Sequence, residues 1–504
     1  MILYPAIQQS CLSLEEDTTS ILNFENLKDE GAIFAATVPI YRAYLETVRW
    51  PNKQYVTDMG ADDVTTWWAG GRATLRMHDR LDYGDGKNSE NPWIGDYWEY
   101  YWKIILNANI LIQGLKTSKA PVKVIKRAEA EARFFRALSY FDLVRTFGNM
   151  PVVLNAETNS REIQRATVLE NYLHIEADLH FAEENLPAPG EVGQIGRVSS
   201  AAAKALLANF YLTWAGWPVK DISKYQPAAQ KAKEVIEMNY FNLQPINELW
   251  LLYNQNSRES VFSVQFSKTE DIRSDYPATF SFHESRGWSD IYPERQFFYD
   301  FPEGPRKEAT FYVQIPQRIY DSNLGKIVEN DPPFKHWTES GRNHPMYKKF
   351  TISGDSLVWT RLVGYRAIEI IRYAEVLLIY AEAFARSKSG IVSGDALEAL
   401  NQVRRRAAGV SYLIPNHDVD LITAVADDVF IERGWELAGE RKRWYDLVRL
   451  EKLAEIVAKR DPSEEVTLAI TADQISWKQY IAAIPYETVL TSKLEQNPAG
   501  FRIK

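Results

Sequence analysis

Residues 125–148 read IKRAEAEARFFRALSYFDLVRTFG. Ala132, Phe135, Leu138, Phe141 and Val144 recur at spacings of three, which lays one apolar stripe along a helix. The stripe stops at Gly148, a residue suited to the left-handed position after a helix end. Upstream, residues 97–115 carry the same period in Tyr101, Ile104, Ile105, Ala108, Leu111 and Ile112, and the polar turn 116–121 joins the two. Neither helix can bury its stripe alone, so the two predict an antiparallel pair.

The same reading extends outward. Residues 168–185 and 199–214 form a second pair, and 221–239 a further helix. Residues 368–387 and 395–407 form a later pair, and 427–450 read as one long helix. Ala201, Ala202, Ala203, Ala205 and Ala208 make a seam across which neighbouring helices approach closely. Helix pairs of this length stack as tetratricopeptide-type repeats do, although consensus residues at period 34 are absent. The fold class is therefore mainly α, a scaffold of tetratricopeptide-like helix pairs.

Two stretches break the period. Residues 58–92 are rich in Gly, Asp and aromatics, and residues 257–361 mix short strand-like runs such as 260–266 with Pro and Gly. Long loops in a helical body are uncommon unless they carry function. They predict an irregular region with short strands packed on one side of the scaffold.

Bulk composition narrows the function. A chain of 504 residues with 45% hydrophobic content can bury a large core, and its net charge of -9 is mild. That balance gives no concentrated basic footprint, so nucleic acid is not the expected partner. Aromatics make up 13% of the chain, including 15 Trp, more than the helical stripes use. The His residues show no metal-ligand spacing: His174 and His180 fall on different helix faces. No nucleophile elbow, phosphate loop or dinucleotide fingerprint is present, so no cofactor and no metal are expected. Asp62 and Asp63 are adjacent carboxylates, which keeps a glycoside hydrolase as the enzymatic alternative.

The single cysteine, Cys11, follows the short apolar run Ile2-Leu3-Tyr4-Pro5-Ala6-Ile7 and precedes the acidic stretch Glu15-Glu16-Asp17. One cysteine excludes an internal disulfide. Its place between an apolar leader and a polar start is where lipid attaches to a mature N-terminus, though the run is shorter than a full signal peptide.

Five strings, in order, carry a resemblance. They are Ala130-Glu131-Ala132-Arg133-Phe134-Phe135-Arg136-Ala137 with Phe147-Gly148-Asn149-Met150-Pro151; Arg197-Val198-Ser199 into Ala202-Ala203-Lys204-Ala205-Leu206; Arg372-Tyr373-Ala374-Glu375-Val376-Leu377; Glu432-Arg433 to Glu436, Glu440 and Arg443-Trp444; and Ile484-Pro485 to Gln496-Asn497-Pro498. Together they resemble the SusD/RagB family of surface nutrient-binding lipoproteins of Bacteroidetes, over nearly the whole chain.

The resemblance implies one SusD-like domain over residues 12–504. Its scaffold would span about 94–250 and 362–504, its ligand-binding loops about 58–93 and 257–361, and residues 1–11 would be a leader remnant. It implies a non-catalytic protein that binds oligo- or polysaccharide and hands it to a SusC-type TonB-dependent transporter in the outer membrane. Peptides or other nutrients are the alternative ligands. It also implies a lipid anchor on Cys11, although Gln8, three residues earlier, departs from the usual attachment box. Arg136, Glu375 and Arg433, with Arg145 in the Tyr140-Phe141-Asp142-Leu143-Val144-Arg145 continuation of the first string, are expected to tie helices together rather than touch ligand.

A sugar ring stacks its C–H face on a flat aromatic, and its hydroxyls seek planar polar partners. In the resembling family such contacts come from the two loop regions. Here these offer Trp67, Trp68, Trp93, Asp62 and Arg72 in the first, and Trp288, Tyr292 and Trp337 in the second. Trp67-Trp68, followed by Gly70-Gly71, has no periodic reason to be core. Trp98 and Trp102 lie on a helical stripe and are expected in the core.

Overall fold

A computed structural model describes residues 27–67, 72–81, 91–156, 164–321, 324, 326–351, 362–464, 470–492 and 494–504. Cys11, the leader and Trp68 lie outside the described residues.

The helices follow the sequence periods closely. Pro92–Leu115 packs on Val122–Phe147, which packs on Val168–Asn185, then Ser200–Trp214, then Tyr225–Glu237. The run continues through Tyr373–Arg386 to Asp395–Ala407 and Ala426–Glu436. Local chemistry sets the ends. Thr167 and Glu170 form a reciprocal capping box, and the Ser199 hydroxyl accepts from the Ala202 N–H at 3.3 Å. Gly148 takes a φ of 74° at the end of Val122–Phe147 while its N–H still reaches the Val144 carbonyl. The alanine seam at 201–203, 205 and 208 is fully buried, which brings adjacent helix backbones together.

Three departures have clear causes. A helix at Glu30–Val48, outside the expected scaffold, packs on Pro92–Leu115 and Val122–Phe147. Pro39 inside it masks the period in the sequence, and the carbonyl of Pro39 is met by the Asn107 amide at 3.2 Å. The expected helix 368–387 starts later. Ile368–Arg372 is a strand paired antiparallel with Ser260–Val264, and only Tyr373–Arg386 is helical. Three isoleucines in five residues are stiff at χ1 and fit a sheet better than a helix. The expected helix 427–450 is two, Ala426–Glu436 and Arg443–Arg449. Between them Gly439 takes a φ of 73° with the Tyr347 ring against its Cα, and Arg441 is also left-handed. This break turns Glu440 and Arg441 inward.

Residues 257–351 hold short elements rather than a helix pair. Strands Gln314–Asp321 and Lys326–His336 form a hairpin, and Tyr276–Phe280, Arg295–Asp300 and Pro305–Thr310 are single short helices. The segment is fixed to the scaffold by aromatics such as Phe297 and Phe301, whose rings sit 5.1 and 5.2 Å from Trp435.

The family strings converge on a buried ionic core. Arg372 donates to Glu259 and Glu436 at 2.8 Å each and to Glu440 at 2.7 Å. Arg406 reaches Glu259 and Glu436, and Lys349 reaches Glu440 at 2.6 Å. Burial alone would raise the Glu436 carboxyl, but Arg406, Arg372 and Arg306 together hold it at about 2. The residues expected to be structural are so engaged. Arg136 grips Asp178 at 2.7 and 2.8 Å, and Arg145 pairs with Asp142. Arg433 holds Asp446 at 3.0 Å, and Glu375 pairs with Lys442 at 3.0 Å.

Candidate ligand-binding site

Thr65 and Tyr292 form an isolated antiparallel bridge between the two loop regions. The Thr65 N–H donates to the Tyr292 carbonyl at 2.7 Å and the Tyr292 N–H to the Thr65 carbonyl at 3.2 Å. The two loop regions that the sequence set apart by more than 200 residues thus form one surface.

Asp290 is its polar centre. The carboxylate is buried, accepts from Asn52 Nδ2 at 2.6 Å and is paired with Arg72. Burial raises its pKa, and the Arg72 contact opposes that rise. Asn52 comes from the short helix Pro51–Tyr55. On the same helix Lys53 pairs with Asp96 at 2.7 Å and meets the Tyr100 hydroxyl at 3.2 Å.

Two tryptophans, Trp67 and Trp288, lie on the two loops that the bridge joins. Trp67 is half-buried, and the Arg342 guanidinium carbon lies 4.2 Å from its ring centre. The Arg76 guanidinium donates to the Trp67 carbonyl at 3.2 Å. Trp288 stands 39% exposed. Its display is built into the backbone: Arg286 and Ser289 are left-handed, with φ of 69° and 53°. Gly287 presses on the Ser281 carbonyl so closely that no Cβ fits. The Trp288 N–H then donates to Ala278 at 2.7 Å and the Asp290 N–H to Thr279 at 3.0 Å, which fixes the turn.

The structure reassigns several expected site residues. Tyr292 is 0% exposed, with its ring 4.4 Å from that of His344, and Trp337 is 3% exposed against Phe298. Neither ring offers a face to a sugar, so both are core. Asp62 is held by Arg443 in a two-point pair at 2.8 and 3.0 Å, beside a cavity of about 310 Å³ that also touches Phe297 and Trp435. Its carboxylate is engaged in a scaffold contact. Trp93 starts the Pro92–Leu115 helix and is half-buried against the core, outside the contacts around Asp290. Trp98 is buried and Trp102 half-buried, and both line a separate cleft of about 730 Å³ along that helix. Arg72 pairs with Asp290, Trp288 lies two residues before it, and Trp67 lies two residues beyond the Thr65–Tyr292 bridge.

Asn52 and Arg342 were not singled out by the sequence. A signal existed for Arg342, because it sits in the aromatic- and Gly-rich second loop region, but nothing local ties it to Trp67. Its backbone is fixed by His344, whose Nδ1 is 2.6 Å from the Arg342 carbonyl and whose Nε2 is 2.9 Å from Glu464.

Known proteins bear on this geometry. One family profile, described as starch-binding and associating with the outer membrane, matches residues 13–212, and a second, the SusD family, matches 258–499. SusD-like protein P2 of Formosa agariphila is 27% identical over 523 residues, covering 97% of this chain and 97% of its own. A SusD superfamily protein from Parabacteroides distasonis superposes with a TM-score of 0.76 at 23% identity, covering 93% and 99% of the two chains. A laminarin-binding SusD-like protein gives 0.72 at 24% identity, covering 94% and 99%.

Proposed function

The chain belongs to the SusD/RagB family, and from that membership we propose that it is a non-catalytic glycan-binding protein of the bacterial cell surface. It would hold an oligo- or polysaccharide and pass it to a SusC-type TonB-dependent transporter, anchored to the outer membrane by lipid on Cys11. The outer-membrane association in the family description supports the location.

The observation that carries the reading is the pairing of Trp288 with the Asp290 centre. The turn offers an aromatic face beside Arg72 and Asn52, whose planar polar groups suit hydroxyls and are held in place by the buried Asp290 carboxylate. The enzymatic alternative needs two carboxyl groups facing the scissile bond. Asp62 is taken by Arg443, and Asp63 is buried and accepts from the Gly439 N–H at 2.8 Å. Binding without cleavage fits these commitments.

The test is titration calorimetry against a panel of polysaccharides, with wild type and with Trp67→Ala/Trp288→Ala. Each stacking contact is worth roughly 1–3 kcal/mol by analogy with base stacking, so the double variant should bind roughly thirty- to twenty-thousand-fold more weakly. Shortened glycan after incubation would make the protein a hydrolase. Binding of peptides with none of the glycans would move it to the other nutrient class.

A further inference from the structure

We infer that the segment Arg460-Asp461-Pro462-Ser463-Glu464 sets the geometry of both ligand-binding loops, with Arg460 and Glu464 as positioning residues for the glycan. The inference rests on the reading of these loops as a glycan site. Arg460 holds the first loop. Its guanidinium donates to Thr65 Oγ1 and to Asp79 at 2.8 Å each, and the Thr65 hydroxyl donates to Asp79 at 2.8 Å. Thr65 makes the bridge to Tyr292 and lies two residues before Trp67, while Asp79 ends the helix Ala73–Asp79 that follows Arg72.

Glu464 holds the second loop. Its carboxylate accepts from the Arg295 N–H at 3.0 Å, three residues past Tyr292. It also meets His344 Nε2 at 2.9 Å, and His344 Nδ1 lies 2.6 Å from the carbonyl of Arg342, whose guanidinium is over the Trp67 ring. Between the two, the Asp461 N–H donates to Glu294 at 2.9 Å, and Arg295 reaches the Ser463 hydroxyl at 3.0 Å. The turn itself is fixed, because Asp461 accepts from the Ser463 N–H at 2.8 Å. With side chains 8% and 4% exposed, Arg460 and Glu464 act through the residues they hold and not on the ligand. An isolated bridge joins the loops by one pair of hydrogen bonds, and these charge-assisted contacts add the constraint it lacks.

The experiment measures binding of laminarin, xyloglucan and soluble starch by calorimetry, at a temperature well below the melt of every variant. Amide hydrogen exchange at Thr65 and Tyr292 reports on the bridge without any ligand. Arg460→Gln should weaken binding of the probe that wild type takes by roughly ten- to hundred-fold, by analogy with outer-shell partners of metal sites. It should also speed exchange at both amides. Arg460→Lys should restore part of each, because Lys keeps the charge without the fork. Arg136→Gln breaks a similarly buried pair with Asp178 in the scaffold, so it should lose stability yet bind as wild type does. Where Arg460→Gln is unfolded, Thr65→Val removes the same contact more gently and is read in the same way. If the folded variant leaves binding or exchange unchanged, or if Arg136→Gln weakens binding as much, the inference falls and the glycan reading stands. If folded wild type binds none of the three polysaccharides, both fall.

Discussion

Arg372 and Glu436 meet at 2.8 Å, both fully buried, although 64 residues separate them. Arg372 ends the strand Ile368–Arg372 and Glu436 ends the helix Ala426–Glu436. Glu259, from the partner strand's edge, and Arg406, from Asp395–Ala407, complete the cluster. The pair is thus a junction of four chain segments, two of them, the strand that Arg372 ends and the chain at Glu259, not helical.

Removing one member of such a cluster leaves its partners charged and unpaired in the interior. Glu436→Gln should cost about 3–5 kcal/mol of unfolding free energy, read by urea denaturation at pH 7. In wild type this contribution is present above the ordinary glutamate range and is lost as pH falls toward about 2. A loss below about 1 kcal/mol would mean the cluster relaxes around the gap.

Asp63 has the opposite sign. Burial, with the charge of Asp62, pushes its carboxyl up to about 7 against the Gly439 hydrogen bond. A carboxyl raised on folding contributes stability that is complete below its unfolded value and lost as pH climbs through about 7. Asp63→Asn keeps an oxygen for the Gly439 N–H, so it should be more stable than wild type at pH 8, by at most about 4 kcal/mol, with little difference at pH 4. A variant less stable than wild type at pH 8 would show that the ionised form is well accommodated.

Trp288 and Trp337 should separate binding from stability. Trp337→Ala removes a core ring and should cost about 3–5 kcal/mol of stability. Trp288→Ala should leave the melting temperature nearly unchanged while weakening glycan binding by about 1–3 kcal/mol. Melts and titrations on the same samples decide it. Equal loss of stability in both would make Trp288 part of the core.

The proposed anchor is tested by partition. Protein expressed with its native leader should enter the detergent phase, and Cys11→Ala should stay in the aqueous phase, because stable anchoring needs several acyl chains. Equal partition of the two would leave Cys11 without that role.

Much of the scaffold was legible from residues 125–148 outward, because a helix announces itself within about a dozen residues through its 3.6 period. The helix Glu30–Val48 escaped because Pro39 interrupts that signal, and Ile368–Arg372 because an isoleucine-rich run suits both periods. The site was legible as two loop regions rich in tryptophan. Its membership was not: of the expected residues, Arg72 pairs with Asp290 and Trp288 is exposed two residues before it, while Tyr292 and Trp337 are core.

The sequence by itself determined the helix pairs, the alanine seam and the residues that mark the family, since each depends on neighbours within one or two turns. Only the tertiary structure decided which tryptophan faces solvent and which arginine lies over Trp67. In an aperiodic segment the fate of a side chain depends on partners far along the chain, as Trp67 depends on Arg342 and Asp290 on Asn52. Two residues of the same type and similar surroundings in sequence, Trp288 and Trp337, therefore end on opposite sides of the protein surface.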